Sequence, residues 1–337
     1  MTTTNGQRST SRKFPRRLLG SWRLDTDACH AVIFMLSFAI LAGAASPAAQ
    51  TKAAAGDEWL KRPVDDRTFK GFLDFFKYDT KLPFDMKLTR TDDERGLQRE
   101  YLAFQSTSGV RVTSVLTQQA GSGSGLRPAI IFLHGGVPAG KEATLPVAGV
   151  LARAGWAVLS IDMPYFGERK TNFLTTFSEE EKHEKLYNQP SAYLSWITQI
   201  TKDVSRAFDL LVAERGVDPR RVALLGGSRG AMVGSIVGGI DKRLAAVVLL
   251  FGAHFDALET NHLPAACPAN YIGRIAPRPL LMVNGTQDSD MLRDVAVEPL
   301  FKIAKQPKQI IWTDGGHMFM TEEHRASIIQ WLRDKTR

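Results

Sequence analysis

Cysteine is nearly absent from this chain of 337 residues: it has two, Cys29 and Cys267. So few exclude a disulfide scaffold and a cysteine-rich zinc module. The metalloprotease pattern is missing as well, because His183-Glu184-Lys185-Leu186-Tyr187 lacks the second histidine of H-E-x-x-H. No metal site is expected. No internal repeat of 20–50 residues is present, which excludes solenoids and propellers. Glycine (28 residues) is too sparse for collagen, and 44% hydrophobic residues are too many for a disordered chain. The formal charge of +8 is largely local, since residues 1–27 carry six basic side chains and two acidic ones. Without them 37 basic and 33 acidic residues remain, so the rest of the chain carries only +4. That balance gives no reason to expect a nucleic-acid partner.

Long apolar runs are equally scarce. The one candidate, residues 31–45 (AVIFMLSFAILAGAA), is shorter than the roughly 20 residues a spanning helix needs. A basic stretch precedes it and Ser-Pro-Ala-Ala follows, which is the pattern of an export signal, with Ala42-Gly43-Ala44 as an A-x-A cut site. Residues 1–50 are therefore expected to direct export to the periplasm or the medium. Membrane attachment through an uncleaved 31–45 run is the alternative. Arg16-Arg17 lies too far upstream of the apolar run to favour a twin-arginine reading. Cleavage would remove Cys29 and leave Cys267 alone, so no intrachain disulfide is expected.

Residues 51–96 read as an N-terminal helical lead-in, and 97–104 with 110–116 as an antiparallel pair. The Gly-Ser-Gly-Ser-Gly stretch at 121–125 is a connector too short to separate domains. Beyond it the pattern changes to short, continuous apolar runs at 129–133, 157–161, 222–225, 246–250, 280–283 and 309–312. Continuous apolar runs imply burial on both faces, as in a parallel sheet covered by helices. Helix-compatible stretches lie between them, so residues 97–337 are predicted to form one doubly wound α/β domain. Segments 163–190 and 254–275 exceed a plain crossover and follow strand ends, where open sheets bind ligands; both are expected to cap a site.

The sharpest motif is Gly226-Gly227-Ser228-Arg229-Gly230, a G-x-S-x-G between an apolar run and a helix-compatible stretch. A serine on so tight a strand-to-helix turn needs small neighbours and projects its Oγ above the sheet. The helix behind it offers free N–H groups to an oxyanion. From about residue 97 onward the chain resembles the α/β-hydrolase superfamily, most closely its dienelactone-hydrolase, acetyl-xylan-esterase and prolyl-oligopeptidase-like branch. That resemblance implies a mostly parallel sheet with cap insertions and the chain order Ser, acid, His. It matches the acid to Asp288 in Asn284-Gly285-Thr286-Gln287-Asp288-Ser289-Asp290, and the base to His317 in Asp314-Gly315-Gly316-His317. Asp290 and Asp256 stand as alternative acids. The resemblance also places the second oxyanion donor in His134-Gly135-Gly136-Val137. The backbone N–H groups of Gly136 and Arg229 form the expected pair, with Gly135 as neighbour.

Ester cleavage of a small-molecule substrate through an acyl-enzyme on Ser228 follows as the expected activity, with no organic cofactor. Peptidase activity is the alternative within the class, and a non-catalytic hydrolase-like binding module the alternative outside it. Gly135-x4-Gly140-Lys141 approaches a P-loop, but Glu142 stands where Ser or Thr should hold Mg²⁺, and Pro138 removes an N–H. Nucleotide binding is rejected on that chemistry. The remaining histidines receive plain readings: His134 supports the oxyanion loop, His183, His262 and His324 lie on the surface or in a cap, and His254 lines the pocket. Arg229 has two readings, a buried ion pair or recognition of an anionic substrate. The ion pair is favoured, because a desolvated guanidinium needs a partner. Asp162, in Asp162-x-Pro164-x-x-Gly167, is expected to hold its loop rather than to react.

Overall fold

The computed structural model describes residues 57–121, 125–260 and 262–336. Residues 1–50, read from the sequence as an export signal or anchor, and connector residues 122–124 lie outside these. Among the described residues no helix is long and apolar enough to cross a membrane.

Nine strands form one sheet: β1 (Lys87–Glu94), β2 (Leu97–Thr107), β3 (Val110–Gln119), β4 (Arg127–Leu133), β5 (Ala157–Ile161), β6 (Val217–Gly227), β7 (Ala246–Leu250), β8 (Leu280–Gly285) and β9 (Lys308–Thr313). Their order is β1-β2-β3-β5-β4-β6-β7-β8-β9. The pairings among β1, β2, β3 and β5 are antiparallel, and all those from β5 to β9 are parallel. The helices are α1 (Asp57–Lys61), α2 (Asp66–Phe72), α3 (Leu145–Arg153), α4 (Glu179–Lys182), α5 (Pro190–Glu214), α6 (Arg229–Ile240), α7 (Ala269–Ile272), α8 (Glu298–Ile303) and α9 (Glu322–Lys335).

The continuous apolar runs have the cause anticipated for them. In β4, Ile131 joins the core that includes residues of α5 and α6, while its neighbour Ile130 joins a second core with residues of α3 and α9. Leu224 and Leu225 divide in the same way on β6. Successive side chains point to opposite faces, so a strand covered on both sides must be apolar at every position.

The segment read as a helical lead-in is only partly helical. After α1, α2 and a 3₁₀ turn (Leu73–Phe76), the chain adds β1 to the sheet edge. The sequence of β1, KLTRTDDE, is exposed at nearly every position, so it carries no apolar alternation to reveal it. Charged side chains on an edge strand also discourage pairing with another chain.

The chain passes from β4 to its neighbour β5, then crosses to the other side of β4 to lay down β6. The order reverses at β4, and the carboxyl ends of β4 and β6 open there into a crevice. Both motif-bearing loops, at 134–137 and at 228, leave from those two ends.

Candidate active site

Ser228 sits between β6 and α6 with φ 51° and ψ −120°, a left-handed backbone for a residue that carries a Cβ. The flanking glycines explain how the chain tolerates it. A Cβ on Gly226 would stand 2.3 Å from the Gly230 carbonyl oxygen, and one on Gly230 would stand 2.4 Å from the carbonyl oxygens of Leu133 and His134. The turn packs backbone against backbone, and only glycine fits on either side. Phe251 and Met318, which flank the same place, also have positive φ (54° and 63°). Such outliers gather where a fold holds side chains in a required position.

Three side chains from distant loops meet at this turn. His317 Nε2 lies 2.8 Å from Ser228 Oγ, and His317 Nδ1 lies 2.8 Å from Asp288 Oδ2. The other oxygen of Asp288 accepts the backbone N–H groups of Asp290 and Met291, each at 2.9 Å, and its side chain is wholly buried. Phe251 meets the imidazole edge-on, with centroids 5.8 Å apart. Burial alone would lower the pKa of His317, but the bond and charge of Asp288, with Asp290 and Glu179 behind, raise it above the ordinary histidine value. Asp288, Asp290 and His317 are also the described side chains whose ligand atoms lie close enough to share a cation. Asp288 and His317 are already bonded to each other.

Both alternative acids border the same cleft, but the carboxylate bonded to His317 is that of Asp288. Asp290 is exposed. Asp256 bonds to Arg229 and, at 2.9 Å, to His183 Nε2.

The Ser228 N–H donates to the Leu250 carbonyl, which leaves the next N–H, that of Arg229, at the start of α6 where helical N–H groups lack intrahelical acceptors. Across the cleft, the Gly135 carbonyl accepts from Val137 N at 2.8 Å and from His134 Nδ1 at 2.5 Å. In a trans peptide the following N–H, that of Gly136, points the opposite way, so these two bonds orient it. His134 Nε2 in turn accepts from Met163 N at 3.0 Å. Both ring atoms are engaged in a neutral ring, and burial drives the pKa of His134 down to about 4. Lys182 Nζ then holds the Gly136 carbonyl at 2.7 Å. Lys182 carries no sequence signal: it lies in a run of charges, EEEKHEK, that reads as a solvated face.

The Arg229 side chain is buried and paired. Its guanidinium bonds Asp256 and Glu259 (2.5 Å for the latter) and lies 3.7 Å above the Tyr187 ring. His183 and His262 join the same cluster through Asp256 and Glu259. Both histidines are buried within segments 163–190 and 254–275, which answers to the cap half of their reading and not to the surface half, because two carboxylates taken out of water need every available donor. Burial raises the pKa of Asp256, but the Arg229 charge with the bond and charge of His183 outweighs it, leaving it below the carboxylate range. For His183, burial lowers the pKa and the bond and charge of Asp256 outweigh it, leaving it above the ordinary value. His254 is likewise corrected: it is buried against Phe255 and does not line the cleft. His324 lies at the start of α9, where it and Thr321 form a reciprocal cap.

Lys141 supplies the reason its P-loop-like spacing is incidental. Its ammonium is buried against Asp162 (2.8 Å) and Glu168 (2.5 Å). Asp162 also accepts from Thr113 Oγ1 and from the backbone of Lys141, both at 2.7 Å, which ties the loops after β4 and β5 together.

These groups border a cleft of about 310 Å³ that contains Ser228, His317, Gly136 and Arg229 in its walls. Residues 179–187 contribute Glu179, Lys182 and Tyr187, and residues 256–258 line it as well.

No family model matches the chain. A curated relative, the uncharacterised protein YfhR of Escherichia coli O157:H7, is 27% identical over 128 residues, which are 34% of this chain and 45% of that protein. The match thus spans less than half of its length. Among solved structures, the chain is similar to the acetyl xylan esterase of Paenibacillus sp. R4, with a TM-score of 0.63, 14% identity, and coverage of 82% of this chain and 98% of that one. A cold-adapted esterase from an Arctic intertidal metagenomic library gives 0.54 at 20% identity, over 77% of this chain and all of the other. The alpha/beta hydrolase GrgF of Penicillium sp. sh18 gives 0.53 at 16%, over 71% and 99%. The fold is the α/β-hydrolase fold.

Proposed function

We propose that this protein is a serine hydrolase that cleaves carboxylic esters of small molecules through an acyl-enzyme on Ser228. One observation carries the reading: an unbroken relay of two 2.8 Å contacts, Ser228 Oγ to His317 Nε2 and His317 Nδ1 to Asp288 Oδ2, opening into a cleft.

In this reading Ser228 Oγ attacks the ester carbonyl carbon as its proton passes to His317 Nε2. Asp288 keeps the other ring proton on Nδ1 and stabilises the imidazolium. The oxyanion that forms is met by the N–H groups of Gly136 and Arg229, each such donor being worth about 2.7–4 kcal/mol in the transition state. His317 then gives its proton to the departing alkoxide as the C–O bond breaks. Water, deprotonated by the same nitrogen, attacks the acyl carbon, and Ser228 regains its proton as the acid leaves. Residues 31–45, with their basic flank and Ala42-Gly43-Ala44 exit, support export, retention by that uncleaved segment being the alternative.

The test is turnover of short-chain aryl esters. Ser228→Ala should lower kcat by about 10⁴–10⁶-fold with an unchanged melting temperature. Near-wild-type turnover in that variant would remove the assignment.

A further inference from the structure

Beside the cleft a second depression of about 180 Å³ runs between α3 and α9. Val147, Leu250 and Met320 line both spaces, so the two adjoin across these three side chains. Val150 on α3 and Ile329 on α9 form its outer rims. The one charged side chain in its lining is Arg325, whose Nε donates to Glu322 at 3.0 Å.

The chemistry of this lining selects its occupant. Sugar hydroxyls placed here would give up water and find aliphatic walls in exchange, at a cost with no compensation. An alkyl chain or aryl ring meets the opposite balance, since its own apolar surface and that of the walls leave water together. The rim has such surface to cover: Val150 is 37% exposed although α3 packs the rest of its apolar face against the sheet. The cleft alone, about 310 Å³, stands at the low end of the roughly 300–1,000 Å³ typical of small-molecule sites, and the groove adjoins it.

We propose that the groove between α3 and α9 is a subsite for an apolar arm of the substrate, an aliphatic chain or aryl ring carried on the acyl or the alcohol side of the ester. This rests on Ser228 being the nucleophile, because the arm is placed by its attachment to the scissile group. The substrate class is accordingly esters with one apolar arm several carbons long, rather than esters whose two arms are both small or polar.

Two series of esters read the subsite: aryl esters with acyl chains of two to eight carbons, and acetates of alcohols of the same lengths. In one series kcat/KM should rise by about fourfold per added methylene until the groove is filled, and the series that rises identifies the arm. Val150→Trp places an indole on an exposed rim position. It should lower the ratio of long-chain to acetate kcat/KM in that series by about fifteenfold, the loss of two buried methylenes. Binding of 1-octanol to Ser228→Ala protein, followed by calorimetry, gives a readout without turnover and should disappear when Val150→Trp is added. Two flat series, or an octanol affinity that Val150→Trp leaves unaltered, would overturn the subsite while ester cleavage stands. Octanol binding lost in Val150→Trp, in a protein that cleaves no ester, would overturn the reaction and support the groove as an apolar site.

Discussion

Asp288 and Asp290 bear the same side chain two positions apart, and the backbone makes them different. Asp288 turns inward, where two N–H groups fix one oxygen and His317 takes the other; Asp290 stays in solvent. From the sequence both fit the loop after β8, because which of two nearby acids faces inward depends on a turn that spacing does not specify. Asp288→Asn should lower kcat by about 10⁴-fold, since an amide can stabilise the wrong imidazole tautomer and cannot balance an imidazolium. Asp290→Asn should leave most of the rate. A larger loss in the Asp290 variant, by steady-state kinetics on an aryl ester, would reverse the assignment.

At the scale of elements, what was legible followed from burial. Strands covered on both faces read as apolar runs, and the elbow was visible because its glycines and serine stand within five consecutive residues between an apolar run and a helix-compatible stretch. The exposed edge strand β1 left no pattern, and neither did the cluster beside the elbow. Arg229 could be judged to need a partner, but Asp256, Glu259, His183 and His262 come from two segments whose meeting the sequence does not show. That cluster joins α6 to both segments that border the cleft. A buried ion pair is weak evidence for net stability, yet removing one partner leaves the other charge stranded. Arg229→Met should therefore destabilise the fold by about 3–5 kcal/mol in urea unfolding at neutral pH. A change below about 1 kcal/mol would show that the two carboxylates find water or protons without it.

For the whole molecule, pH acts on folding and on chemistry through different histidines. His134 is buried neutral with its pKa near 4, whereas an unfolded chain takes up that proton near 6.5. The unfolded state thus binds more protons between those values, and this histidine's share of stability, about 3 kcal/mol, is lost as pH falls from 6.5 to 4. His183 and His317 have the opposite sign: with pKa raised on folding, they stabilise at lower pH and lose that contribution as pH rises through their folded values. Catalysis needs His317 neutral, so kcat/KM should climb with pH along a limb centred above 6.5. An NMR titration of the histidine rings checks both statements. It should find one ring that resists protonation to about pH 4 and one, lost in His317→Ala, that titrates above 6.5. Midpoints near 6.5 for both would remove the electrostatic account of the site.

The most direct trial of the central claim is covalent. A fluorophosphonate probe requires a serine oxygen activated by a neighbouring base, and peptide mapping by mass spectrometry locates the adduct. The account predicts one adduct per chain, on the peptide that holds Ser228, with labelling slowed by orders of magnitude in His317→Ala. An unlabelled protein, an adduct on another serine, or equal labelling without His317 would contradict it.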